Sequence, residues 1–144
     1  MKIADLLSDK HGVEGVVTIS PEAGVRELVA LLAEHNIGAV VVSSDGSAIE
    51  GIVSERDVVR RLAQDGTVVN NTVGAIMTPV VECAEPDTDL DAVMQLMTQR
   101  RIRHVPVRQA GALVGIISIG DVVKHKIDQL TFERDQLDHY LHQA

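Results

Sequence analysis

The sequence predicts an α/β fold (α+β): two β-α-β-β-α repeats packed sheet to sheet with pseudo-twofold symmetry, plus a long C-terminal helix. Three features lead there. The stretch Gly51-Ile52-Val53-Ser54-Glu55-Arg56-Asp57-Val58-Val59 returns, altered, as Gly115-Ile116-Ile117-Ser118-Ile119-Gly120-Asp121-Val122-Val123. Strand, helix and turn signals recur around both copies in the same order, which marks an internal duplication. The apolar residues are nearly all aliphatic, with one Phe, one Tyr and no Trp among 144 residues. Such residues suit a core shared between two small sheets, because a unit of about fifty residues with one apolar face is marginal alone.

Residues 1–14 read as a lead segment, with a short amphipathic helix over 3–9 that His11-Gly12 stops. The first repeat, 15–66, opens with a strand at Val16-Val17-Thr18-Ile19. Ser20-Pro21-Glu22 predicts a helix start: a serine N-cap, proline at the first helical position and an acid in the first turn. Val25, Leu28, Val29, Leu31 and Leu32 follow at helical spacing, and His35-Asn36 ends the helix. Ile37 to Val42 is an almost unbroken apolar run, the mark of a buried strand. Ser44-Asp45-Gly46 predicts a hairpin turn, Ile49 to Val53 the return strand, and Ser54 the cap of a helix ending at Asp65-Gly66. Residues 67–79 connect the repeats. Within them Thr72 caps a short turn through Met77, which Thr78-Pro79 breaks.

The second repeat, 80–127, follows the same plan. A strand is expected around Val80–Ala84, and Glu85-Pro86-Asp87 starts a helix with Leu90, Val93, Met94, Leu96 and Met97 on one face. Pro86 matches Pro21, Ile102 matches Ile37, and Val105-Pro106-Val107 matches Val40-Val41-Val42. Gly111 matches Gly46, and after a one-residue deletion Gly115, Ser118 and Asp121 match Gly51, Ser54 and Asp57. The helix that begins near Asp121 runs on through a tail, 128–144. Val123, Ile127, Leu130, Leu137 and Leu141 follow steps of four and three, with Arg134 at the missing step. This is a short coiled-coil seam, read as a dimer contact in preference to a helix folded back on its own domain.

Charge and composition narrow the function. A net charge of −8 and an almost complete lack of aromatic stacking platforms argue against nucleic acid as a partner. One cysteine, Cys83, rules out an internal disulfide and a cysteine-based zinc site, and suits a reducing compartment. With no signal-like apolar N-terminus and no membrane-length apolar run, the expected location is the cytoplasm. His139 and His142 lack a third ligand, and neither a P-loop nor a Gly-x-Gly-x-x-Gly run is present. No catalytic residue stands out.

The plainest role of Ser54-x-x-Asp57 and Ser118-x-x-Asp121 is to cap helices, with Asp in place of the usual Glu or Gln. A second role is compatible with it. A carboxylate at a helix N-terminus can accept hydrogen bonds from both hydroxyls of a ribose, and free helix N–H groups can hold a phosphate. Arg56 adds a positive charge in the first copy, where the second has Gly120.

The doubled Gly-h-h-Ser-x-x-Asp corners, the lead-in Ile76-Met77-Thr78-Pro79 and the run Ile102-Arg103-His104-Val105-Pro106-Val107 resemble a tandem pair of cystathionine-β-synthase (CBS) domains, a Bateman module. The resemblance spans about Ile3 to Ile127. It implies a regulatory, energy-sensing role through adenosine-containing ligands: AMP, ADP or ATP, with NAD-type molecules or S-adenosylmethionine also in range. It also implies homodimers of modules and leaves room for an unidentified protein partner. Carried across, one cleft would use Ser54, Arg56 and Asp57 with Thr78, Val80, Val81, Ile102, Arg103 and His104. The other would use Ser118 and Asp121 with Val16, Val17, Thr18, Ile37, Gly38 and Ala39. Phosphate is expected to favour the first, more cationic cleft. Two rivals remain: a dimerisation scaffold with vestigial clefts, and a nucleotide phosphohydrolase.

Overall fold

The computed structural model describes residues 1–11, 16–79 and 82–142. In the first repeat, β1 (Thr18–Ile19) runs parallel to β2 (Ala39–Val42), which runs antiparallel to β3 (Gly51–Ser54). Helix α2 (Val25–His35) joins β1 to β2, and α3 (Glu55–Gln64) leaves the end of β3. After a 3₁₀ turn, Val68–Asn70, the connection carries a one-turn helix α4 (Val73–Ile76). Helix α1 (Ile3–His11) precedes the first repeat. The second repeat consists of α5 (Leu90–Arg100), the hairpin β4 (His104–Gln109) and β5 (Ala112–Ser118), and α6 (Ile119–Leu141).

The expected strand over Val80–Ala84 is reduced, among the described residues, to a single parallel bridge between Ala84 and Val107. Proline supplies the reason. Ala84 N–H donates to Pro106 O at 2.9 Å, and Arg108 N–H to Ala84 O at 2.9 Å. The next bond of the ladder would need an N–H on Pro106, which has none. Val41, at the same place in the first repeat, has one, and there β1 pairs over two residues. Val80 and Val81 lie outside the described residues.

Both expected helix starts are corrected by the structure. Helix α2 begins at Val25 rather than after Ser20, and α5 at Leu90 rather than after Glu85. The prolines sit in turns instead, because the residues after them are taken up by a strand-like contact. Gly24 bridges Thr72, with Val25 N–H donating to Asn71 O, Val73 N–H to Ala23 O and Gly74 N–H to Pro21 O. The second repeat copies this pattern, but the N-terminus provides the other side. Lys2 bridges Asp89, with Leu90 N–H donating to Met1 O, Ile3 N–H to Thr88 O and Ala4 N–H to Pro86 O. Each repeat is therefore closed by the segment that precedes the other one.

The cores follow the same exchange. Val73 and Ile76 of the connection pack with Val25, Leu28, Val40 and Val53 of the first repeat. Ile3 and Leu6 of α1 pack with Leu90, Val93, Val105 and Ile117 of the second. Between the sheets Val41 meets Leu113 and Ile116, with Val16, Ile49 and Ile52 against them. Each such side chain, when fully buried, contributes about 1.5–3 kcal/mol, so this layer holds the two sheets face to face.

The connection also crosses β3, where Ile52 and Thr78 exchange two backbone hydrogen bonds of 2.9 Å. Position 51 must be glycine for this to happen: a Cβ there would lie 2.7 Å from Met77 Sδ and 2.9 Å from Thr78 O. The two hairpins differ as well. The second turns tightly through Ala110 and Gly111, both at positive φ, which matches the twist of the strands. The first has a longer loop organised by Asp45, whose Oδ1 accepts from the Ser47 and Ala48 amides at 2.8 Å.

Candidate functional site

Strand β3 ends at Ser54 in extended backbone, and α3 starts on the next residue. Ser54 Oγ accepts from the Asp57 amide at 3.2 Å, while Asp57 Oδ2 accepts from the Ser54 amide at 2.8 Å and from its hydroxyl at 3.0 Å. The capping reading of the sequence therefore holds in full, and it holds again at Ser118 and Asp121, with bonds of 2.8 and 3.1 Å. Of the first three α3 amides, that of Glu55 donates to Gly38 O and that of Asp57 to Ser54 Oγ. Only the Arg56 amide is left without a partner among the described residues.

Capping does not exhaust Asp57. Its partners among the described residues all fall on Oδ2, which leaves Oδ1 with two lone pairs. Asp57 is half-buried and lines a cavity of about 280 Å³. The wall also includes Ser54, Arg56, Thr78, Ile102, Arg103 and His104, so every described residue of the first expected cleft comes together. Arg60 and Arg101 join them; the sequence reading had not placed either there.

The remaining expected residues sort differently. Gly38 and Ala39, assigned from the repeat alignment to the cleft of Ser118, line this same cavity. Strand register explains it: Ala39 pairs with Ser54, so the start of β2 lies beside the first corner. Val16 packs into the layer between the sheets, Val17 and Ile37 pack on the first repeat's core, and Thr18 pairs with Val41.

The cavity is cationic on an acidic protein. Arg56, Arg60, Arg101 and Arg103 face two lining carboxylates, Glu55 and Asp57. None of the four guanidinium groups makes an ion pair or side-chain hydrogen bond among the described residues. Arg101 is held at a cost. It caps α5 in the left-handed region, at φ 54°. Asn36, its counterpart at the end of α2, sits at φ 51°. Asparagine tolerates that conformation through its short polar side chain, whereas for other non-glycine residues it costs about 1 kcal/mol or more. A longer side chain kept at a strained position that opens on a cavity points to use of its charge.

Burial pushes the Cys83 thiol above its ordinary value, which lowers the thiolate fraction. Among the described residues, no group of three or more His, Cys, Asp and Glu side chains is placed to hold a metal ion. No helix among them is long and apolar enough to cross a membrane.

A duplicated α/β unit with a cavity lined from both repeats defines the class of tandem-repeat α/β modules. The chain belongs to the CBS-domain family: the family model matches it twice, over residues 6–64 and 73–128. It is 38% identical over 122 residues to the mitochondrial CBS domain-containing protein CBSX3 of Arabidopsis thaliana, matching 81% of this chain and 59% of that protein's length. It superposes with a TM-score of 0.80 on the CBS-domain containing protein ATU1752 from Agrobacterium tumefaciens, at 42% identity over 87% of this chain and 92% of that one. The CBS domain pair of protein MJ0100, solved in complex with 5′-methylthioadenosine and S-adenosyl-L-methionine, matches with a TM-score of 0.78 and 26% identity, over 90% of this chain and 98% of that one.

Proposed function

We propose that this protein is a non-catalytic regulatory module that binds a phosphate-bearing adenosine ligand, of the AMP, ADP and ATP class, between its repeats. One observation carries the reading: Asp57, whose Oδ1 accepts no hydrogen bond among the described residues, lines a cavity together with four arginines that have no carboxylate partner among those residues. The open oxygen can accept both hydroxyls of a ribose, and the guanidinium groups and the Arg56 amide suit phosphate oxygens. The adenosyl ligands of the MJ0100 domain pair support the adenosine half of the proposal. The arginines add the phosphate half, since the second corner has Gly120 where the first has Arg56. A ligand that prefers one arrangement of the repeats shifts the population toward it.

In this reading the module acts as a homodimer. Val59 and Leu62 on α3, and Val123 and Ile127 on α6, are exposed apolar side chains on the two helices that leave the Ser-x-x-Asp corners. Calorimetric titration with adenosine, AMP, ADP, ATP, NADH and S-adenosylmethionine tests the ligand. Binding should strengthen from adenosine to the phosphorylated compounds. Flat traces for all six would leave the scaffold reading, and release of phosphate from ATP would leave the hydrolase.

A further inference from the structure

Helix α6 continues far beyond the domain that starts it. It covers 23 residues, and the one side chain it buries is Val122, near its start. Every residue from Ile127 to Leu141 is exposed, including Ile127 at 57%, Leu130 at 63%, Leu137 at 58% and Leu141 at 61%. An isolated helix of about fifteen residues is marginal in water, and this one exposes an apolar seam interrupted once, at Arg134. The seam needs an occupant, and its charges say which.

We propose that the α6 seam pairs with the same seam of a second copy of this chain, and that the two helices run antiparallel. The proposal rests on the homodimer reading above and adds its geometry. With Val123 opposite the partner's Leu141, each later layer falls into step: Ile127 meets the partner's Leu137, and Leu130 meets the partner's Arg134. The arginine stem then covers a leucine while its head reaches solvent. Lys124 flanks the seam at one end and Asp138 at the other, so the pairing sets each Lys124 beside an Asp138 of the other copy. Neither has an ion-pair partner among the described residues, whereas Lys126 is already bonded to Asp91 at 3.2 Å.

The antiparallel register leaves one like-charge contact, Glu133 beside the partner's Glu133 near the centre, but parallel pairing would lose the Lys124–Asp138 contacts and add worse ones. Parallel helices would stack Arg134 on Arg134 in one seam layer, and they would bring Glu133 toward Asp138 across the flank. Like charges in these positions oppose association. The macrodipoles would also align side by side, where antiparallel helices place opposite ends together. Phe132, at the midpoint of the antiparallel overlap, lies on the outer face and takes no part in the seam.

Engineered cysteines test the orientation in a Cys83→Ala background. Antiparallel helices hold position 123 of one copy next to 141 of the other, and the two 123 positions about 27 Å apart along the axis. A disulfide needs Cα atoms within about 7 Å. An equimolar mixture of the Val123→Cys and Leu141→Cys proteins should therefore give a cross-linked dimer under mild oxidation, and Val123→Cys alone should give none. Self-crosslinking of Val123→Cys in a protein of dimeric mass would overturn the orientation and leave the homodimer reading standing. A monomeric mass by sedimentation, without crosslinks, would overturn both. Charge exchange gives a second readout: Lys124→Asp or Asp138→Lys alone should raise the dimer Kd about threefold to tenfold, and the double exchange should restore it. A double variant as weak as the singles would equally reject the antiparallel pair. Nucleotide affinity, measured on the same proteins, reports the cavity independently.

Discussion

The two Ser-x-x-Asp corners are built alike and furnished differently. Both serines cap a helix through the amide three residues on, and both aspartates reach back to the serine amide at 2.8 Å. Around Ser54 stand Arg56, Arg60, Arg101 and Arg103. The positions related to them by the repeat hold Gly120, Lys124, Asn36 and Gly38. Duplication has thus kept the part of the corner that folds the chain and let the charges around it diverge. A cap is a stability device wherever it occurs; its neighbours decide whether it is also a recognition device.

Removing the two carboxylates one at a time gives the sharpest break in this comparison. Asp57→Ala should weaken nucleotide binding about 30-fold or more, as expected for losing hydrogen bonds to a charged acceptor. Asp121→Ala should leave the same titration unchanged. Both should lower stability by about 1 kcal/mol in denaturant unfolding, the ordinary worth of a cap. Equal loss of binding in the two variants would put the ligand elsewhere.

Next in size is Gly51→Ala. The added methyl group meets Met77 Sδ and the Thr78 carbonyl, and overpacking of this kind costs about 1–3 kcal/mol. Thr78 lines the cavity, so nucleotide affinity should fall along with the melting temperature. Arg101→Asn sharpens the contrast in the other direction, because it gives α5 the residue that ends α2. Stability should rise by about 0.5–1 kcal/mol as left-handed strain is relieved, while ATP affinity drops several-fold and adenosine affinity stays the same. Calorimetry and thermal unfolding on one preparation check both halves.

The smallest effect separates the hairpins. Amide bonds from Ala48 and Ser47 hold the Asp45 carboxyl below its ordinary range. Its stabilising contribution is therefore present above the unfolded value, near 4, and is lost as pH falls through the lower folded value. The Ala110-Gly111 turn contains no titratable side chain. Acid should thus accelerate opening of the first loop before the second, read as amide exchange at Ser47 and Ala48.

Much of this was legible beforehand because duplication repeats each signal. The corners, the positive-φ glycines of the turns, the sheet-to-sheet core and the long last helix all stand where matched residues put them. The helix starts were not, since Ser20-Pro21 and Glu85-Pro86 satisfy local rules that a distant backbone overrides. Arg60 carried a usable clue, lying four residues after Arg56 on the same helical face. Arg101 did not: within Arg100-Arg101-x-Arg103 it reads as surface charge, and only its backbone conformation sets it apart. Gly38 and Ala39 were sorted by repeat symmetry alone, which does not reveal that the pairing of β2 with β3 sets them beside the first corner.

The exchange of closing segments has a consequence for anyone who would divide the molecule. A cut between Gln64 and Val73 strips the front half of the short helix that seals it, and leaves the back half without α1, which stays on the other fragment. Neither half-molecule is a minimal unit, so the smallest autonomous piece is the whole clasp. Because synthesis runs from N- to C-terminus, α1 is made before the repeat it closes, and its seat forms only once that repeat has been made.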